Sequence, residues 1–147
     1  MLAPMDPLRL WRTSIALQRG GHGHAAGALA RLNTLLYGNS LSPHASVGPG
    51  VWLGHHAFGT VVQSNVTVGR DVTIWHNVSL EADEAADTQL VIEDGVKIGA
   101  SAVIAAPAGR TLRIGGGARI GAGAVVTDDV PAGATVVAAP MRVVEPD

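Results

Sequence analysis

The stretch VGRDVTIWHNVSL, residues 68–80, carries the pattern that decides the fold. Val68, Ile74 and Leu80 stand six residues apart, and the same spacing continues in both directions. The full aliphatic column is Val47, Leu53, Val62, Val68, Ile74, Leu80, Ile92, Ile98, Ile104, Ile114, Ile120 and Val126. Most neighbours in it are six apart, and the exceptions are steps of nine, twelve and ten. A six-residue repeat is typical of a β-helix, whereas a β-sandwich would alternate with a period of two.

Two further positions of the six-residue unit are often occupied by small residues. The residue after the column is often glycine, and we expect glycine to permit the turn conformation there. These glycines are Gly48, Gly54, Gly69, Gly99, Gly115 and Gly121. Four residues after the column stand Val51, Ala57, Val66, Val72, Val78, Val96, Ala102, Ala118, Ala124 and Val130. Each unit therefore makes one short strand and one turn, three units make a triangular coil, and the twelve units predict about four stacked coils.

Residues 1–42 have a different pattern, which predicts two helices. The apolar residues at near-helical spacing in the first are Leu8, Leu10, Trp11, Ile15 and Leu17. A glycine-rich break follows over residues 20–23, and the second helix is expected to end near Gly38. We therefore predict a helical segment over 1–42 and a β-helix domain over 43–147.

Bulk composition excludes several classes of function. The net charge of −2 predicts neither nucleic acid nor an anionic membrane as the main partner. There is no cysteine, so disulfides and thiol catalysis are excluded. No long apolar run is present, so we expect neither a signal peptide nor a transmembrane segment, and a cytoplasmic location.

From Pro43 to Val144 the chain resembles the serine acetyltransferases and their shorter relatives among the hexapeptide-repeat acyltransferases. The segments that carry the resemblance are HAFGTVV (56–62), VGRDVTI (68–74), IGAGAVV (120–126), VPAG (130–133) and APMRVV (139–144). The resemblance implies a left-handed parallel β-helix and a homotrimer with each active site between two subunits. It also implies acetyl-CoA as the acetyl donor, a hydroxyl compound as the acceptor, and no metal.

The resemblance further implies a histidine general base, which in the family lies in an Asp-His-Ala-x-Gly motif. Here the corresponding residues are Gly54-His55-His56-Ala57-Phe58-Gly59. Counting back from Gly59 matches His56 to the base, whereas counting forward from Leu53 matches His55. The glycine and the following valines favour His56. Histidine suits the reaction because one imidazole can accept a proton from the hydroxyl and return it to the leaving thiolate.

His76 is the third candidate catalytic residue. It lies two residues after Ile74, as His55 lies two residues after Leu53, and the two column residues are one coil apart. We therefore expect His55 and His76 to be near neighbours. The pair has two readings, as a device that orients the base or holds the acceptor, and as a solvated corner contact.

The donor site is also implied by the resemblance. The pantetheine arm would pass Ala82, Ala100 and Ala122, with Arg119 facing the nucleotide end. Arg110, Arg113 and Arg142 are further candidates for the phosphates, because guanidinium groups suit phosphate.

The acceptor is the least determined part of the prediction. The acidic stretch over residues 81–89 interrupts the repeat and must loop out, because charge at inward positions is costly to bury. Thr88 and Gln89 stand where the serine enzymes carry an Arg-His pair, so the resemblance does not favour L-serine. Two other classes stay open on the same fold: a γ-type carbonic anhydrase-like metal protein, which needs three histidines around zinc, and a non-catalytic scaffold.

Overall fold

A computed structural model describes residues 6–84, 87–140 and 142–144. Helix α1 spans Pro7–Arg19 and helix α2 spans Gly23–Tyr37. The Asp6 carboxylate accepts the Leu8 N–H at 3.0 Å and so caps α1. Gly38 ends α2 in the left-handed conformation, with φ 65°. The predicted helical pair and its glycine-rich break are confirmed.

Fourteen short strands, numbered β1 to β14 in chain order, form three parallel sheets within the described residues. Face 1 contains Ser40–Leu41 (β1), Val61–Val62 (β4), Ser79–Ala82 (β7), Val103–Ala106 (β10) and Val125–Val126 (β13). Face 2 contains Ser46–Val47 (β2), Val66–Val68 (β5), Gln89–Ile92 (β8) and Thr111–Ile114 (β11). Face 3 contains Trp52–Leu53 (β3), Thr73–Ile74 (β6), Lys97–Ile98 (β9), Arg119–Ile120 (β12) and Thr135–Val136 (β14). The chain visits the three faces in turn, which makes a β-helix of about four coils.

The register of the strands confirms the six-residue column. On face 3, Leu53 pairs with Ile74, Ile74 with Ile98, and Ile98 with Ile120. Ile74 and Ile98 are fully buried, as are Leu80 and Ile104 on face 1. Stacked aliphatic side chains therefore fill the interior of the prism, and this burial is the main stabilising term.

The structure corrects the reason for glycine after the column. The left-handed residue of a regular corner is the fourth of the unit, as at Asn77 (φ 54°) and Gly123 (φ 69°), and not the second. The second-position glycines are needed because the next coil passes very close. A Cβ on Gly99 would lie 2.5 Å from the Ala122 nitrogen, and one on Gly48 would lie 2.5 Å from the Gly69 oxygen.

The two helices cover the first coil. Trp11 is fully buried, and its indole N–H donates to the Ser42 carbonyl at 2.8 Å. The Arg12 guanidinium donates to the Gly48 carbonyl at 2.6 Å. These contacts fix α1 on the first coil. The Gly59 N–H donates to the Gly38 carbonyl at 2.9 Å, which places the end of α2 beside the corner that joins face 3 to face 1. No helix among the described residues has both the length and the apolar character needed to cross a bilayer.

Candidate active site

The corner between face 3 and face 1, called here the histidine corner, comprises residues 54–60, 75–78, 99–102 and 121–124 in successive coils. In the regular coils of this corner, the fourth residue of a six-residue unit donates its backbone N–H to a carbonyl in the preceding coil. The accepting carbonyl belongs to the third residue of the equivalent unit. Ser101 donates to the His76 carbonyl at 3.0 Å, and Gly123 donates to the Ala100 carbonyl at 2.9 Å. His76, Ala100 and Ala122 therefore stack at equivalent positions along this corner.

The first coil of the histidine corner contains a bulge. The Asn77 N–H donates to the Phe58 carbonyl at 2.8 Å, so Phe58 and Gly59 occupy the regular third and fourth positions. Three residues are therefore inserted before Phe58. Thr60, fully buried, takes the small position that the sequence pattern assigned to Ala57. The nine-residue step from Leu53 to Val62 is explained by this insertion.

The bulge has an unusual backbone. His55 (φ 47°, ψ 40°) and His56 (φ 57°, ψ 29°) are left-handed, and Ala57 follows with φ 59°. Each such residue costs about 1–2 kcal/mol relative to the right-handed conformation. The residue after Phe58 is tied to α2, since the Gly59 N–H donates to the Gly38 carbonyl at 2.9 Å. Strain of this kind is often found at functional sites.

The two histidines of the bulge have different neighbours. The ring of His55 meets the ring of His76 edge-on, with centroids 4.8 Å apart and an interplanar angle of 88°. The predicted proximity of His55 and His76 is confirmed. The ring of His56 instead stacks on Tyr37 at the end of α2, with centroids 5.8 Å apart and an angle of 17°.

His76 carries an unsatisfied polar atom. Its Nδ1 is buried and has no hydrogen-bond partner among the described residues. Leaving such an atom without a partner costs about 1–3 kcal/mol. A buried, unpartnered nitrogen next to an exposed imidazole is a candidate contact for a bound molecule.

Three of the residues predicted to bind the acetyl donor lie at or beside this corner. Ala100 is half-buried and Ala122 is exposed, so their stack leaves the edge of the prism open. Arg119 is exposed on face 3, three residues before Ala122. A thin chain could pass along this edge with a cation at one end.

The other residues predicted to bind the acetyl donor lie elsewhere. Ala82 is fully buried, and its N–H is already bonded to Gln63 Oε1 at 2.8 Å. Arg110 lies 3.7 Å from Asp128 at the corner between faces 1 and 2, and Arg113 lies on face 2. Arg142 is exposed and outside any helix or strand. The structure does not bring these four residues to the histidine corner.

The acidic loop also lies away from the histidine corner, between faces 1 and 2. Ser64 donates to Glu84 Oε1 at 2.7 Å, and the Gly109 N–H donates to the buried Thr88 Oγ1 at 2.8 Å. Residues 85 and 86, inside this loop, lie outside the described residues. Gln89 is exposed at the start of β8. In a single chain, Thr88 and Gln89 therefore do not contact the histidines.

Aromatic residues concentrate at the histidine corner, and composition alone did not indicate this. The chain has three Trp, one Tyr and one Phe. Trp11 is the buried helix anchor, and the other four surround the histidines. The rings of Trp52 and Trp75 meet edge-on with centroids 5.3 Å apart. The ring centroid of Trp75 lies 5.9 Å from that of His55. The exposed fractions of Trp52 and Trp75 are 50% and 39%.

A metal centre would need a further ligand at this place. Within residues 6–84, 87–140 and 142–144, no three His, Asp or Glu side chains converge closely enough to hold a metal ion. Only His55 and His76 approach each other, because His56 faces Tyr37. The described residues of one chain therefore do not bring together the three imidazoles that the γ-type carbonic anhydrase alternative requires.

A β-helix of six-residue repeats with histidines at one corner agrees with the class predicted from the sequence, the hexapeptide-repeat acyltransferases. No protein-family model matches the chain. The serine acetyltransferase of Helicobacter pylori strain J99 is 30% identical over 142 residues, which are 95% of this chain and 80% of that protein. The chain therefore belongs to the serine acetyltransferase family, and the fold predicted from the sequence, a left-handed parallel β-helix after a short helical region, is confirmed.

Two other relatives show how much of the family's length is present. The Mycobacterium tuberculosis serine acetyltransferase is 37% identical over 121 residues, covering 81% of this chain and 51% of that protein. The crystal structure of Neisseria gonorrhoeae serine acetyltransferase in complex with serine aligns with a TM-score of 0.79 and 34% identity, covering 91% of this chain and 54% of that one. The chain thus spans about half the length of these two relatives.

Proposed function

We propose that this chain is an acetyl-CoA-dependent O-acetyltransferase that transfers acetyl to a hydroxyl group of a small molecule. The observation that carries the proposal is the contact between His55 and His76 at the strained bulge. Membership of the serine acetyltransferase family supports the same reaction class. The test is release of CoA from acetyl-CoA by the purified protein in the presence of hydroxyl acceptors, with and without the His55→Ala substitution.

His55 is the general base in this proposal. The sequence pattern favours His56, but the flat stack of His56 on Tyr37 gives that ring a packing role. The ring of His55 is exposed, contacts His76, and lies on the edge that continues to Ala100 and Ala122. A base must reach both the acceptor proton and the leaving sulfur, and His55 has the better position for both.

The residues of this chain carry out two proton steps. His55 takes the proton of the acceptor hydroxyl as its oxygen forms the new bond to the acetyl carbon. The bound donor supplies an acetyl group activated as a thioester. His55 then returns the proton to the CoA sulfur as the thioester bond breaks. His76 orients His55 through the edge-on contact of the two rings.

The residues present fit the donor along the histidine corner. Ala100 and Ala122 keep the edge open, and the exposed Arg119 would meet the phosphates. Ala82 remains a prediction from the sequence, because its side chain is buried and its N–H is bonded to Gln63. The sequence also predicts contacts between the phosphates of the donor and Arg110, Arg113 and Arg142. Two of these, Arg110 and Arg113, would reach the phosphates only from outside face 3.

Acetyl-CoA is expected to raise the melting temperature of the protein. A ligand that binds only the folded state stabilises it by about 2.7 kcal/mol when present at a hundredfold excess over its Kd. Arg119→Ala should weaken this shift, because one charge-assisted contact to phosphate is lost. Differential scanning fluorimetry measures it, and Arg31→Ala on α2 is the control for the loss of an exposed arginine. An equal shift in both variants would remove Arg119 from the donor site.

We also propose a homotrimer, in which the flat faces of three prisms pack and each histidine corner faces a neighbouring subunit. Light scattering at micromolar concentration should give about three times the mass of one chain, 15.0 kDa. A stable monomer would contradict the shared site. A cytoplasmic location is part of the same proposal, since the donor is a cytoplasmic metabolite.

A further inference from the structure

The exposed tryptophans beside His55 are the feature that the catalytic proposal leaves unused. Trp52 and Trp75 have exposed fractions of 50% and 39%. A Cβ on Gly54 would lie 3.0 Å from Trp75 Cε3 and 3.2 Å from Trp52 Cζ3, so the absence of a side chain there lets the two indoles meet. Large aromatic side chains left half in solvent next to a reactive group indicate a binding surface.

The surroundings of this indole pair are electrically neutral. Residues 32–42, 51–62 and 72–80, which include the first two coils of the histidine corner and the adjacent end of α2, contain no Asp, Glu, Lys or Arg. The charged residues next in register on face 3 are cations. Lys97 pairs with Thr73, and Arg119 pairs with Lys97. No carboxylate of these segments is therefore available to bind an ammonium group.

This neutrality bears on the acceptor. A zwitterionic amino acid loses the hydration of two charges on binding and needs a partner for each, because burying an unpaired charge is costly. Within one chain, the segments around the indole pair offer none for the ammonium. A neutral compound with several hydroxyl groups loses less hydration free energy on binding. If it also has an apolar ring face, that face can cover the indoles.

We propose that the acceptor is a neutral hydroxyl compound with an apolar ring face, of which a pyranoside is the representative case. The ring lies against Trp75 and Trp52 and directs one hydroxyl at His55. Trp75 is the closer platform, since its ring centroid lies 5.9 Å from that of His55. The inference rests on the proposed function, because it concerns the acceptor of the same reaction.

The experiment measures acceptor binding and acetyl transfer separately. Methyl glucopyranoside and methyl galactopyranoside are the ring probes, sorbitol is the neutral probe without a ring, and L-serine is the zwitterionic probe. Binding is followed by intrinsic tryptophan fluorescence at saturating CoA. Trp11 is fully buried and contributes a constant background. Transfer is followed by CoA release.

We expect at least one methyl pyranoside to change the fluorescence and to be acetylated with a lower KM than sorbitol or L-serine. Trp75→Ala should raise that KM about tenfold, the scale for covering one indole face, with a smaller change in kcat. Trp75→Phe should restore most of the affinity. Val125→Ala, which truncates an exposed apolar side chain on face 1, is the matched control and should leave the KM unchanged.

Three outcomes would overturn the inference. L-serine could be the preferred acceptor, with a KM that Trp75→Ala does not change. The fluorescence could depend on protein concentration and on no probe, with Trp52→Ala dissociating the oligomer, which would assign the indole pair to contact between copies of this chain. Another hydroxyl compound could bind and react while neither pyranoside does. Failure of the proposed function is distinguishable, since acetyl transfer would then be absent for every acceptor, or present and unchanged by His55→Ala.

Discussion

His55→Ala is expected to lower kcat for acetyl transfer by at least two orders of magnitude. A positioned general base contributes roughly a hundred- to ten-thousand-fold, and no other described side chain contacts His76 in the same way. Binding of acetyl-CoA should persist, because the donor contacts lie further along the histidine corner at Ala100 and Ala122. Steady-state CoA release gives kcat, and the thermal shift with acetyl-CoA verifies that the donor site is intact.

His56→Ala is the matched control for this experiment. It lies in the same bulge, has the same left-handed backbone and is similarly exposed, so strain from alanine acts alike in both variants. We expect a loss of about tenfold or less, because the ring packs on Tyr37. If His56→Ala proves the more damaging substitution, the base is the residue matched by counting back from Gly59, and His55 has the orienting role.

Gly99→Ala is expected to lower the free energy of unfolding by about 3 kcal/mol. Its Cβ would lie 2.5 Å from the Ala122 nitrogen and 2.9 Å from the Ala122 Cα, so two coils of backbone must separate. Forced overpacking costs typically about 1–3 kcal/mol, and backbone yields less easily than a side chain. Urea unfolding measures the change, which should appear as a lower midpoint at constant slope.

Gly27→Ala on α2 is the control for replacing glycine by alanine. A Cβ at Gly27 meets nothing within 4 Å, and alanine favours a helix by about 0.8–1.0 kcal/mol over glycine. This variant should therefore be more stable than the parent. A neutral Gly99→Ala would show that adjacent coils can move apart at little cost, and would contradict the steric role assigned to the second-position glycines.

The six-residue column could be recognised in the sequence because the need for an inward aliphatic residue is local and recurs in every unit. Each coil needs one inward aliphatic residue per face, as Ile74 and Ile98 show, and the period does not depend on any distant contact. The helix boundaries were readable for a similar reason, since Gly38 terminates α2 through its own backbone conformation. The reason for the second-position glycines was misjudged, because the close approach of Gly99 to Ala122 spans two coils.

The position of the bulge could not be derived from the period. A nine-residue step shows that three residues are added, but counting from Leu53 and from Gly59 gives different registers for the same two histidines. The hydrogen bond from Asn77 to Phe58 settles the register, and it joins residues of different coils. The different neighbours of His55 and His56 then follow from where α2 ends, which repeat counting does not include.

The sequence alone determined the β-helix, its helical cover and the family resemblance, because repeats and helix ends are encoded in short segments. It also predicted that His55 and His76 meet, although the structure gives the position equivalent to His76 to Phe58 and forms the contact through the bulge. Only the tertiary structure decided which histidine packs on Tyr37, left His76 Nδ1 without a partner among the described residues, and gathered Trp52 and Trp75 beside His55. Those features depend on contacts between coils and with α2, where packing and strain select one arrangement from several that the spacing allows.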